Sequence, residues 1–215
     1  MSTQKRIYVL VCFLLILGAA AWSFSIQKEF KNMKATTSAP QETLADTTAR
    51  FKKQKYGGAY TLTDFDGNRT SSDSFQTDYK LTFFGFTHCI AVCPPSLDNI
   101  SMILNELGEE GKKILPVFIT IDPERDTTKT IKDYVLTFHD RFQGFTGSKE
   151  ELSTVQKNYR IFAKKATGEN IPEYQMDHSS YIYLSDKDDH VIHIFKGEDD
   201  YEEVTATIRK IMALY

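Results

Sequence analysis

Apolar positions fall into three kinds of pattern along this chain, and the first is an unbroken run. Ile7 to Ile26 carries no charged residue, and a helix of that length is about 30 Å long at 1.5 Å per residue, one hydrocarbon core. Lys5-Arg6 precedes the run, and Trp22 and Phe24 lie near its far end, where interfacial aromatic rings belong. The pattern predicts a cytoplasmic N-terminus over 1–6, a single transmembrane helix over 7–26 and an exported remainder, although Lys28, Lys31 and Lys34 beyond the span give the opposite charge signal. Ala19-Ala20-Ala21 would suit a signal peptidase, and the length of the run favours an uncleaved anchor over that reading. The stretch before the span is too short and too poor in Arg and Ser for a mitochondrial transit peptide. A bacterial inner membrane, with the domain on the periplasmic side, is therefore expected ahead of a mitochondrial one.

The second pattern is the short apolar run bounded by turn residues. Leu81 to Phe86 and Leu115 to Ile121 read as strands buried on both faces. Ala59 to Thr63 reads as a shorter strand followed by the turn Asp66-Gly67-Asn68. Tyr181 to Leu184 and Val191 to Phe195 flank Asp186-Lys187-Asp188-Asp189 as a hairpin, and Ile161 to Lys164 is a short extended piece. The third pattern is helical. Pro94-Pro95 opens a helix whose apolar positions Leu97, Ile100, Ile103, Leu104 and Leu107 recur at three and four, with Gly108 and Gly111 at its end. Further helices are expected over 127–142, 150–159 and 201–214. Met33 to Arg50 has no periodicity and turns to Thr, Ser, Ala, Pro and Gln, so 27–56 is expected to be a flexible tether. Strand, helix, strand, helix, hairpin and helix together describe one α/β domain over 57–215, a sandwich of the thioredoxin kind.

Charge narrows the partners. The 215 residues carry a net charge of −3, but beyond residue 34 there are 21 basic and 28 acidic side chains, a net −7. An acidic body argues against nucleic acid and anionic lipid as its main target and suits basic or metallic partners.

Of three cysteines, Cys12 lies inside the apolar run as a small apolar side chain, and Cys89 and Cys93 form the exported pair. They sit in the loop leaving the first buried strand, and the carboxyl ends of strands are where open α/β sheets bind ligands. Pro94 disfavours helical geometry at Cys93, which places that thiol just before the helix, where unpaired amides and the dipole would stabilise a thiolate. A three-residue spacer permits a disulfide or a shared metal, and an inert disulfide would add little across so short a loop. Two soft thiolates with one imidazole suit copper. Among the imidazoles, His88 points away from Cys89 if the strand continues, His139 ends a helix, and His190 and His193 lie on the hairpin. His178, in Asp177-His178-Ser179-Ser180, follows a loop and precedes a strand, so it either reaches a neighbouring site or is a hydrogen-bonded, capped side chain.

At these residues the chain resembles the Sco/SenC family of thioredoxin-like copper proteins that assist assembly of cytochrome c oxidase. The matching segments are Phe83-Phe84-Gly85-Phe86-Thr87-His88-Cys89 with Cys93-Pro94, then Phe118 to Thr127 with Asp122-Pro123-Glu124-Arg125-Asp126, Phe145-Thr146-Gly147 and Asp177-His178-Ser179. The resemblance implies copper ligands Cys89, Cys93 and His178, and the dinuclear copper centre of cytochrome c oxidase subunit II as the recipient. It also implies that the 122–126 loop offers a surface near the site, a solvated loop with local ion pairs being the other reading. A thiol-disulfide reductase using Cys89 and Cys93 as its redox pair is the alternative function. Thr87 before Cys89 hints at peroxide chemistry, which the second cysteine and His178 disfavour. The family usually has Pro-Asp between its cysteines where this chain has Ile90-Ala91, which removes a carboxylate beside the metal.

Overall fold

The computed structural model describes residues 43–166 and 174–214, with the single positions Trp22 and Gln27. The expected anchor over 7–26 lies outside the described residues apart from Trp22. Among the described residues no helix is long and apolar enough to cross a membrane.

Two strands form the centre, β3 (Tyr79–Gly85) and β4 (Ile114–Thr120), paired in parallel and buried along their whole length. Phe83, Phe84, Phe118 and Ile119 point alternately into both faces and are fully buried, each worth about 1.5–3 kcal/mol of burial. The strand begins two residues before the apolar run predicts, because Lys80 can be buried: its ammonium meets the Asp189 carboxylate at 2.9 Å. Around this pair a seven-stranded sheet is completed in the order β2-β1-β5-β4-β3-β8-β9, with β1 (Thr61–Asp64), β2 (Arg69–Ser71), β5 (Gln143–Thr146), β8 (Tyr181–Asp186) and β9 (Val191–Lys196). β5 is parallel to β4, and the remaining pairings are antiparallel. A separate two-stranded sheet joins β6 (Ala163–Lys165) to β7 (Met176–His178). The thioredoxin-like α/β arrangement is as the strand and helix order predicts.

Among the described residues, five α-helices accompany the sheets: α1 (Leu44–Gln54), α2 (Cys93–Leu107), α3 (Thr128–Val135), α4 (Lys149–Tyr159) and α5 (Tyr201–Met212). α2 packs against α5, and α3 lies on β5. Ser148 and Glu151 close a reciprocal capping box at the start of α4, and the Asp200 side chain accepts the amides of Glu202 and Glu203 at the start of α5.

Several expectations need correction. Part of the tether expected over 27–56 is helix α1, which docks on β9 with the Phe51 ring edge-on to Tyr56 at 5.7 Å and to His193 at 6.4 Å. The helix expected over 127–142 ends at Val135, where Thr137 turns its hydroxyl back onto the Tyr134 carbonyl, and the chain then enters β5. The sequence pattern does not predict that strand. It is four residues long, and its Gly144 lies so close under α3 that a Cβ there would come within 2.3 Å of the Ile131 side chain. Cys93 does not precede α2 but is its first residue, with Val92 as N-cap: Pro94 and Pro95 fill first-turn positions where the missing amide has no intrahelical partner to lose.

Candidate metal centre

The site is built where β3 gives way to α2. Phe86 ends the buried run, and the Cys89 amide donates to its carbonyl at 3.2 Å, turning the chain. This turn is held from below by Asp126, a fully buried carboxylate that accepts from the Thr87 amide (3.1 Å), the Thr87 hydroxyl (2.6 Å) and the Thr120 hydroxyl (2.6 Å). Burial raises the Asp126 pKa, and the three donors oppose that shift without cancelling it. Gly85 gives room for the second sulfur, since a Cβ at that position would sit 2.8 Å from Cys93 Sγ.

Cys89 and Cys93 are free thiols, both buried. The Cys93 amide, at the start of α2, donates to Cys89 Sγ at 3.4 Å. The helix terminus therefore stabilises the sulfur of Cys89, whereas the sequence predicts that benefit for Cys93. The Cys89 pKa is pushed down by hydrogen bonding from the Cys93 thiol first, then by the Cys93 and Ala91 amides, against burial. Cys93 is pushed up by the adjoining Cys89 sulfur and by burial. One thiolate and one thiol in contact are the resting state this geometry favours.

His178 ends β7 and completes the group. Its Nε2 lies 3.6 Å from Cys93 Sγ, and the donor atoms of Cys89, Cys93 and His178 all lie within 4.8 Å of one another. The other ring nitrogen, Nδ1, is 3.0 Å from the Ser179 carbonyl. A carbonyl only accepts, so Nδ1 carries the proton and Nε2 directs its lone pair at the sulfurs, the tautomer a metal requires. Phe83 and Phe86 meet the imidazole edge-on at 6.3 and 5.8 Å. Two sulfurs and one imidazole nitrogen around a small gap are a donor set for a soft, low-coordinate metal ion, and copper fits it.

The other histidines stand elsewhere. His88 Nδ1 is 3.1 Å from the Thr87 hydroxyl, and His139 Nδ1 accepts the Arg141 amide. His193 packs between Phe51 and Phe195, and burial lowers its pKa. His190 meets Asp186 and Asp188 at the exposed hairpin tip, an oxygen-rich group of different chemistry.

The 122–126 loop lies beside the site and is solvated only in part: Glu124 is exposed and pairs with Lys149 and Lys165, as the ion-pair reading expects, while the rest of the loop turns inward. Asp122 and Asp126 are buried, Arg125 Nε donates to Asp122 at 2.6 Å, and the Arg125 guanidinium lies over the Tyr174 ring at 3.6 Å. Tyr174 carries no motif that sequence could have flagged, and Gly85 and Thr87 lie in a recognisable segment whose role only the geometry shows. Exposed apolar side chains rim the centre: Ile90 is 86% exposed and Phe162 60%.

Comparison with known proteins agrees with this site. Residues 48–213 match the family model described as SCO1/SenC. A SCO2-like protein of Rickettsia felis is 33% identical over 187 residues, 86% of each chain. The copper-bound structure of ScoI from Arabidopsis thaliana superposes with a TM-score of 0.69 at 32% identity, covering 74% of this chain and 99% of that one. Copper-bound ScoI from Bradyrhizobium japonicum gives 0.65 at 37% identity over 72% and 98%. With a match that spans the sheet from α1 to α5 and takes in both cysteines and the histidine, the chain belongs to the SCO1/SenC family.

Proposed function

We propose that this chain is a membrane-anchored, exported metallochaperone that holds copper through Cys89, Cys93 and His178 and delivers it to the dinuclear copper centre of cytochrome c oxidase subunit II. The observation that carries the reading is the convergence of those three donors, with the imidazole already in the metal-binding tautomer. Copper is cargo in this scheme. Two thiolates and one nitrogen satisfy a monovalent ion while leaving a side open for a partner's sulfur to enter before the first ligand leaves. The exposed apolar rim at Ile90 and Phe162 would let a partner exclude water there during exchange. The family resemblance supplies the recipient, and the apolar run over 7–26 supplies the anchor in a bacterial inner membrane with the domain on the periplasmic side.

A second activity is favoured by the asymmetry of the thiols. The Cys89 thiolate can attack a disulfide in the recipient and form a mixed disulfide. Cys93 then resolves it, leaving an internal Cys89–Cys93 disulfide here and two thiols on the recipient. Such a step would prepare the target for metal.

The test is copper stoichiometry with an absorption spectrum on the reduced protein. One copper per chain and a sulfur-to-metal charge-transfer band for the divalent ion are expected. Cys89→Ser and Cys93→Ser should each abolish the band, and His178→Ala should weaken copper binding while the reversible disulfide persists. A full-strength band in either serine variant would remove the site.

A further inference from the structure

His178 is delivered by the smallest piece of the fold. β6 and β7 are three-residue strands in a sheet of their own, so the main hydrogen-bonded ladder does not fix the imidazole in place. The chain re-enters the main sheet only at Tyr181 of β8, and the side-chain contacts that tie the hairpin to the sulfur loop converge on one point. Just before β7, the Tyr174 hydroxyl donates to Asp122 Oδ1 at 2.7 Å. Arg125 covers the Tyr174 ring at 3.6 Å while its Nε donates to the second oxygen of the same Asp122 carboxylate. Asp122 is in turn fixed to the end of β4, because its amide donates to the Thr120 hydroxyl at 2.9 Å. On its far side the guanidinium reaches the Phe86 ring at 5.7 Å, and Phe86 meets the His178 imidazole at 5.8 Å. The nitrogens Nη1 and Nη2 of Arg125 are buried without a hydrogen-bond partner among the described residues. This guanidinium therefore spends its planar faces on aromatic rings and one nitrogen on Asp122, an arrangement that Lys could not reproduce.

We propose that Arg125 and Tyr174 are positioning residues for His178: with Asp122 they latch the β6–β7 hairpin to the loop after β4 and so hold the imidazole over the two sulfurs. The proposal rests on the reading of Cys89, Cys93 and His178 as the copper site. The neighbouring pair of Glu124 with Lys165 of β6 bridges the same elements, but it is exposed and screened, and Glu124 also pairs with Lys149 of α4. The latch is partly buried, carries a charge-assisted bond and stacks two planar groups. It leaves the sulfurs alone, so it sets how often nitrogen is present at the metal and not whether the thiols can bind or oxidise.

The experiment uses the full chain in detergent, reduced, with Tyr174→Ala, Arg125→Lys and the milder Tyr174→Phe, each alone and combined with His178→Ala. Two readouts are taken: divalent copper affinity by competition, and, on the metal-free protein, the rate at which diethyl pyrocarbonate modifies His178, located by peptide mass. We expect Tyr174→Ala and Arg125→Lys to weaken copper about tenfold and to speed His178 modification, with Tyr174→Phe smaller in both. In the His178→Ala background neither should weaken copper further, and the Cys89–Cys93 reduction potential should stay at its parent value. Losses that add in full to that of His178→Ala would overturn the latch, since the residues would then act on the sulfurs or the fold. Unchanged His178 reactivity in every variant would overturn it equally. If the parent chain binds no copper, the functional reading fails by itself, and the reactivity of His178 still decides the latch.

Discussion

At the scale of single residues, the site is asymmetric in a way that spacing alone does not disclose. Sequence favours Cys93 over Cys89 as the stabilised thiolate, and the fold reverses that order. In the fold one sulfur receives an amide at a helix start and the other lies buried behind Gly85. Their identity as a pair is legible because a two-thiol loop after a buried strand is a local pattern, but which of them holds the negative charge depends on the register of α2. His178 is legible only as a histidine near a turn; its tautomer depends on the Ser179 carbonyl. Asp126 leads to a prediction. Its folded pKa lies above the ordinary 3.8, so between those two values the native state holds more protons than the unfolded chain. This contribution is greatest at and below the ordinary value and is lost as pH rises through the folded one, by at most about 1.4 kcal/mol per pH unit. Urea unfolding of the metal-free protein across that window should show stability falling with pH more steeply in the parent than in Asp126→Asn, and parallel slopes would refute the assignment.

At the scale of elements, the legible parts are those whose patterns are long or dense. β3, β4 and α2 follow from continuous apolar runs and three-four periodicity, and the last hairpin from turn residues between two short runs. β5 and β7 have four and three residues, too few for a period to register, and owe their existence to neighbours, while β6 is legible only as the short extended piece at 161–164. Helix α1 is hard to read from its sequence, LADTTARFKKQ, because that segment is mostly polar. What makes it an element is a docked face: Thr48 is buried, Leu44 packs against the core, and Phe51 meets Tyr56 and His193 edge-on. Phe51→Ala should therefore destabilise the protein by about 1–2 kcal/mol, the worth of its edge-on contacts and part of its burial. Chemical denaturation would measure this, and copper stoichiometry should be unchanged because α1 packs on β9 and not on the sulfur loop.

At the scale of the whole molecule, two distant tie points set the architecture. At one end of the sheet Lys80 of β3 meets Asp189 in the last hairpin, and the Asp189 carboxylate also accepts the Ser72 hydroxyl at 2.6 Å. Three chain segments are joined there without solvent. Lys80→Met should cost about 3–5 kcal/mol, because it strands a carboxylate in the core; thermal unfolding reads this directly, and a loss below 1 kcal/mol would show that water reaches Asp189. The other tie point is the metal centre. Cys93 and His178 are separated by 85 positions, so an ion bonded to both acts as a cross-link across most of the domain. Closing so long a loop removes conformations from the unfolded chain and few from the native one. Cargo and scaffold are then coupled: a chain that holds its ion should resist opening and proteolysis between Cys93 and His178 more than the same chain without it.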